Sequence, residues 1–303
     1  MKALVKTPTG PALQELPEPI LQAPDDVLVE VQAAGICRTD LYVAQNLIKS
    51  PPNLILGHEA TGRIVEIGSQ VDNIQVGDQV VINPLRSCQN CSACQSQQQH
   101  NCEQSRFMGV DFSGAFCEFV TLPAREVHRY SQALDPFQAA YTEPLASTRA
   151  ILESSLSPGM SILVLGDDRI TELTARVLTR AGFSKVSCQI NPAPSELFEA
   201  IVETCPDPED ILSALPHLKP NGLLILKSRS PDSLPLPLIP LIKKRLRIEF
   251  VYFSPFEEAL AETLTDKEWL ADLVGPRFEL ADYEDAFRKA TQNTSQKIYF
   301  SFL

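Results

Sequence analysis

The chain is short of positive charge: 26 lysines and arginines stand against 38 aspartates and glutamates, for a formal net charge of −12. Nucleic acids and anionic membrane surfaces both require a basic face, so neither is expected as a partner. Long hydrophobic runs are also missing. No stretch approaches the roughly 18 apolar residues of a membrane span, and the opening "MKALVKTPTG" lacks the apolar centre of a signal peptide. A cytoplasmic protein is expected. Glycine is scarce, 13 in 303 residues, and is absent from two places where a dinucleotide-binding turn would use it. Cysteine is not scarce. Eight thiols in a chain too long for a disulfide-stapled scaffold point to metal binding.

What is present reads as two domains, given about 150 residues per domain. Residues 1 to about 130 carry short alternating runs such as "DVLVEVQAAGI", "GRIVEIG" and "DQVVI" between glycine turns. That period predicts antiparallel strands in a barrel or sandwich. From "DPFQAAYTEPLASTRAILESS" the period becomes helical, and then "SILVLG", a helix, "KVSCQI", "ELFEAIVETC", "PEDILSALPHL" and "GLLILKS" follow. Alternating strands and helices of this kind predict a parallel sheet with βαβ crossovers. The proline-rich "SPDSLPLPLIPLIKK" is expected to be an irregular connector, and "LRIEFVYF" a sheet edge or an ordinary buried strand.

The sharpest local signal is "CQNCSACQSQQQHNC", which spaces Cys88, Cys91, Cys94 and Cys102 as C-x2-C-x2-C-x7-C. Four thiolates on one loop can close a tetrahedron around zinc, and such a saturated site folds the loop without doing chemistry. His100 is the alternative to Cys102 as fourth ligand. A second set is dispersed: Cys37 in "GICRTD", His58 and Glu59 in "GHEATG", Glu143 in "YTEPLAS". A thiolate, an imidazole and a carboxylate leave zinc an open position for water or substrate, as catalysis requires.

These motifs, with "VGDQVVI", occur in an order that resembles the zinc-containing medium-chain dehydrogenase/reductase family, the alcohol and polyol dehydrogenases. The resemblance runs to the closing "FELADYEDAF" and "QKIYF". It implies a GroES-like β-barrel catalytic domain over 1–150 with a zinc lobe at 86–104, a shortened Rossmann-type domain over 151–275, and a return to the catalytic domain over 276–303. Carried over residue by residue, it makes Cys37, His58 and Glu143 the ligands of a catalytic zinc. Glu59 resembles the neighbouring carboxylate that can exchange onto the metal. Thr39 matches the hydroxyl that begins a proton relay, Asp40 braces the ligands through hydrogen bonds, and Arg38 matches an arginine that reaches the coenzyme diphosphate. Two zinc ions, one catalytic and one structural, and an NAD(P)(H) coenzyme are implied, with a small-molecule substrate and a homodimer or homotetramer.

In "ILVLGDDRITELTARVLTRAG" the nucleotide fingerprint keeps Gly166, while Asp168 and Thr171 take the places of its other glycines. Asp168 puts a negative charge where a diphosphate should dock, and Arg169 with Arg38 could offset part of it. After the second strand, "CQINPAPS" offers neither acid nor base to read a ribose, and a helix and strand present in relatives are missing. A weakened coenzyme grip is expected. The function this supports is a zinc-dependent oxidoreductase that moves hydride between an alcohol or polyol and a nicotinamide. The alternatives are a non-redox zinc lyase or isomerase and a non-catalytic zinc protein on the same scaffold.

Overall fold

The computed structural model describes residues 1–193, 195–292 and 295–303. The chain divides into two compact units, Met1–Pro144 with Pro255–Leu303, and Leu145–Ser254.

The first unit opens with β1 (Lys2–Thr7) and β2 (Gly10–Glu15), an antiparallel hairpin. β3 (Asp26–Gly35) follows, then α1 (Arg38–Ala44), β4 (Glu59–Ile67) and β5 (Gln79–Ile82). The short strands β6 (Leu85–Arg86) and β7 (Arg106–Phe107) pair to close a lobe that contains helix α2 (Ser92–Gln95). β8 (Phe119–Pro123), β9 (Val127–Arg129) and the helix α3 (Pro136–Ala140) complete this stretch, and α4 (Thr142–Arg149) begins in this unit and ends in the second. In β3, Val27, Val29 and Val31 are buried while Leu28 and Glu30 are less so, the alternation its sequence predicts.

The second unit alternates as expected: β10 (Ile162–Leu165), α5 (Arg169–Arg180), β11 (Val186–Gln189), β12 (Phe198–Glu203), α6 (Pro208–Ala214), β13 (Leu218–Leu226), α7 (Leu238–Lys244) and β14 (Arg247–Phe250). The strands pair in parallel in the order β11-β10-β12-β13-β14. All four residues of β10 are buried, because a parallel sheet is covered on both faces and needs no polar side. β11 and β12 flank β10, joined only by 190–197, with no helix among the described residues. Parallel neighbours ordinarily need a crossover of a dozen residues or more. The shortfall leaves β11 as a sheet edge, with no further strand outside it among the described residues.

The connector expected to be irregular contains α7 instead. Pro240 lies in that helix's first turn, where a missing N–H costs nothing because the helix has no acceptor for it there. β14 is the other edge of the sheet.

The chain re-enters the first unit through α8 (Phe256–Thr265), β15 (Val274–Phe278), α9 (Tyr283–Gln292) and β16 (Lys297–Ser301). β16 lies antiparallel to β3, with Tyr299 opposite Gly35. The sheet reads β15-β16-β3-β4-β5-β9, with β8 on β3, and its pairings do not close into a ring among the described residues. Ile298 and Phe300 enter the core formed by β1, β3, β4 and β5. Hence the last strand lies beside the residues that follow β3, and this placement builds the site.

Candidate metal centres and nucleotide loop

In the lobe, Cys88, Cys91, Cys94 and Cys102 bring their sulfurs together. Sγ–Sγ separations are 3.5 Å for Cys91–Cys94, 3.8 Å for Cys91–Cys102 and 3.9 Å for Cys88–Cys94. A zinc tetrahedron with bonds of about 2.3 Å has edges of about 3.8 Å. Amides prepare the ligands: Asn90 and Cys91 donate N–H to Cys88 Sγ, which holds that thiol down to about 6, and Cys88 N–H donates to Cys102 Sγ. His100 lies outside the group, its Nε2 3.1 Å from Asn101 Nδ2. The donor set is four sulfurs, and it fits zinc.

The second cluster is assembled from three places in the chain. Cys37 caps the N-terminus of α1, His58 precedes β4, and Glu59 is the first residue of β4; one ligand atom from each lies within 4.8 Å of the others. Asp40, 1% exposed, organises them. Its Oδ2 accepts the Cys37 N–H at 2.8 Å, and its Oδ1 accepts the Gly57 N–H at 3.1 Å and lies 3.1 Å from His58 Nδ1. A carboxylate on Nδ1 fixes the ring and leaves Nε2 as the metal-facing nitrogen. Burial opposes a charged His58, yet the Asp40 carboxylate and the Cys37 contact prevail and push its pKa well up. Burial, the largest single effect, and the Glu59 charge oppose a Cys37 thiolate, but the hydrogen bond with His58 together with the positive charges of His58 and Lys297 brings the thiol down. The pair thus tends toward thiolate and imidazolium, and a cation between them would take the place of the proton.

Glu59 has an unforeseen partner. Its Oε1 lies 2.5 Å from Lys297 Nζ, both side chains fully buried, and Lys297 also donates to the Ile36 carbonyl at 3.4 Å. Glu59 Oε2 is buried with no hydrogen-bond partner. Gly35 leaves room for it, since a Cβ there would collide with that oxygen. An orphaned carboxylate oxygen beside a thiolate and an imidazole fits a zinc ion, which would supply the missing positive contact. Glu143, buried in the first turn of α4, is outside this group, and Thr39 is buried in the first turn of α1. Arg38 begins α1 and is half-buried.

The nucleotide loop in the second unit is satisfied by its own side chains. Asp168 caps α5: its Oδ1 accepts the N–H groups of Ile170 and Thr171, each at 2.9 Å, and the Thr171 hydroxyl at 3.2 Å. Thr171 Oγ1 is 2.8 Å from Thr204 Oγ1, which donates to the Leu165 carbonyl. Gly166 has φ of +146°, and a Cβ there would strike both threonine hydroxyls. Arg169 is buried at the first position of α5. The helix amides that would receive a diphosphate already hold a carboxylate.

The residues 23–132 match the family model of the alcohol dehydrogenase GroES-like domain. The L-threonine 3-dehydrogenase of Streptomyces avermitilis is 28% identical, with 98% of each chain covered. These likenesses support a place for the chain in the zinc-type medium-chain dehydrogenase/reductase family. The L-threonine 3-dehydrogenase of Bacillus velezensis is 36% identical over 62% of this chain and 56% of its own length. In this and several other curated family relatives, the match spans about half of the relative's length. A solved zinc-binding dehydrogenase from Sinorhizobium meliloti, bound to NADP, shares the fold with a TM-score of 0.87 at 22% identity, over 99% of this chain and 98% of that one.

Against the dinucleotide of such a family, the loop does not fit. Asp168 occupies the α5 amides of Ile170 and Thr171, where a diphosphate is ordinarily received, and β11 is an edge of the sheet among the described residues. Lys297 is the functional residue that sequence reasoning missed. Its one signal is a lysine opening the otherwise apolar strand "KIYF".

Proposed function

We propose that the chain is a zinc-dependent oxidoreductase that interconverts an alcohol or polyol and its carbonyl product, with a nicotinamide as redox partner. The convergence of Cys37, His58 and the unpartnered Glu59 Oε2 carries this reading. Zinc, when bound, supplies a Lewis acid for the substrate oxygen. Cys37 Sγ and His58 Nε2 hold it, with Glu143 proposed as the carboxylate ligand and Glu59, tethered by Lys297, as the carboxylate that exchanges with it. Asp40 keeps the His58 ring in one tautomer and orientation. Thr39 is the hydroxyl proposed to pass the substrate proton toward solvent, and Arg38 the cation facing the coenzyme. The four-cysteine lobe takes a second zinc whose saturated shell confines it to structure. A homodimer or homotetramer joined at the β14 edge and a cytoplasmic location, where all eight cysteines stay reduced, belong to the same reading.

One observation favours a second reading. With Asp168 filling the α5 amides, the scaffold could run zinc chemistry without hydride transfer, as a lyase or isomerase. A non-catalytic role accounts for the lobe but not for a buried, half-paired carboxylate. The deciding experiment incubates zinc-loaded protein with a panel of polyols and β-hydroxy amino acids and either oxidised coenzyme, following nicotinamide reduction by absorbance. Turnover that disappears in His58→Ala supports the oxidoreductase. Zinc-dependent conversion of substrate without nicotinamide reduction would install the second reading.

A further inference from the structure

The four-cysteine lobe is bounded by two short strands, β6 before Cys88 and β7 after Cys102, which pair only with each other among the described residues. β6 is anchored to the rest of the unit. Arg86 donates from Nε and Nη2 to the Glu126 carboxylate at 2.7 and 2.8 Å, just ahead of β9. β7 depends on that pairing, on the N–H of Phe107 donated to Asp111 Oδ2 at 2.7 Å, and on the N–H of Met108 donated to the Pro84 carbonyl at 3.0 Å. Metal on the four sulfurs shortens the free loop between the two strands, so it helps to hold β7 in place.

What β7 carries is Phe107, and its ring packs edge to face against His58, with centroids 5.1 Å apart, planes at 62° and both side chains buried. Asp40 holds the imidazole at one atom, Nδ1. A ring pinned at one atom keeps freedom of tilt, and the Phe107 contact restrains it. The chain leaving the lobe also frames the backbone that leads into His58: the N–H groups of Gly114, Phe116 and Ala115 donate to the carbonyls of Ile55, Leu56 and Gly57 at 2.7, 2.8 and 3.0 Å. A Cβ at Gly109 or Gly114 would strike the Gly57 backbone, so the two segments meet closely.

We propose that Phe107 is a positioning residue for His58 and that it couples the two metal sites: metal in the four-cysteine lobe raises the affinity of the Cys37–His58 cluster for its own metal. Linkage makes the effect reciprocal, so a filled cluster tightens the lobe by the same factor. The proposal rests on the two-zinc reading above. The lobe does no chemistry itself, yet it acts through one ring on the site proposed to do it.

The test is a cobalt(II) titration of the full chain with zinc already in the lobe, read by the d–d absorption of metal bound at Cys37 and His58. Phe107→Leu keeps an apolar side chain but removes the ring. It should retain the lobe zinc, weaken cobalt binding by about tenfold or more, and shift the band because the ligand geometry changes. Asp111→Ala, a change at an exposed residue that frees the Phe107 N–H, should weaken cobalt binding by about threefold, and it covers the case in which Phe107→Leu does not fold. Val29→Ala removes buried core from the middle of β3, opposite Ile64, and should leave cobalt affinity within about twofold of native. Chelator competition gives the reciprocal readout: lobe zinc should be held more tightly with cobalt in the cluster than without it, and in Phe107→Leu that difference should vanish. Native cobalt affinity and an unchanged band in Phe107→Leu, or in Asp111→Ala where it alone folds, would overturn the coupling and leave both metal sites standing. So would a loss in Val29→Ala as large as that in Phe107→Leu. A native chain that shows no cobalt band would overturn the cluster and the inference together.

Discussion

Replacing Lys297 by Met tests the core of the candidate metal cluster. Lys297 and Glu59 form an ion pair at 2.5 Å with side-chain exposures of 1% and 2%. Removing one partner of such a pair leaves the other charged in a medium that cannot solvate it, which costs about 3–5 kcal/mol. Replacing both by apolar groups of similar shape removes the orphan, and Lys297→Met with Glu59→Leu should recover most of the loss. The ordering is therefore single variant below double variant below native or near it, and the coupling between the sites should be at least 2 kcal/mol or so. Urea unfolding of the metal-free protein, followed by circular dichroism, gives the free energies. Chelator competition on the zinc-loaded forms gives a second readout: loss of the lysine frees Glu59 Oε1 and should alter metal affinity even where the fold survives. A cost below about 1 kcal/mol for Lys297→Met would be that of an exposed pair. That result, or a double variant no better than the single, would refute the buried-pair account.

Elemental analysis of zinc-supplemented native protein should return two zinc ions per chain. Cys91→Ser should lose the lobe zinc and much of the folding free energy, since metal affinity in a closed thiolate site is folding free energy. His58→Ala should keep one zinc and a folded protein but no activity, and equal structural loss in both variants would erase the distinction between the sites. Asp168→Gly should strengthen coenzyme binding by freeing the α5 amides, at a stability cost of a few tenths of a kcal/mol, whereas Asp168→Ala should cost about 1 kcal/mol; tighter binding by the native protein would mean that the loop grips phosphate in another geometry. NADH and NADPH should differ by less than about tenfold, equivalent to roughly 1.4 kcal/mol, in isotherms at one ionic strength, and a hundredfold preference would reveal a ribose reader outside "CQINPAPS".

The parts legible in the sequence are those with a local period or spacing. The alternation in β3, the apolar run of β10 and the C-x2-C-x2-C-x7-C lobe each state their structure within a dozen or so residues. The missing strand was legible too, because the distance from Ile190 to Ala200 is simply too short for a helix and a strand. What escaped depends on tertiary register. Nothing near position 297 in sequence says that Tyr299 will face Gly35, and only that pairing brings Lys297 to Glu59. The choice between Glu59 and Glu143 as the carboxylate nearest Cys37 and His58 is of the same kind, since it turns on the path of the chain between β4 and α4. The helix α7 was hidden for a different reason: proline content argued for a connector, yet Pro240 falls where a helix tolerates it.

The two units differ in how they satisfy their polar groups. In the first, charge is left unfinished: Glu59 Oε2 has no partner, and Cys37 with His58 shares a proton that a cation can replace. Metal binding completes that set, so zinc should raise the unfolding temperature strongly through mass action. In the second, the loop that ordinarily waits for a diphosphate is complete without one: Asp168 caps α5, and Thr171, Thr204 and the Leu165 carbonyl close a chain of hydrogen bonds beneath it. A ligand arriving there must displace contacts already made, so its net affinity is only the difference. If this division holds, zinc and nicotinamide ligands should shift thermal unfolding unequally: zinc by many degrees, NADH by few. A melting curve in which NADH stabilises as much as zinc would contradict it.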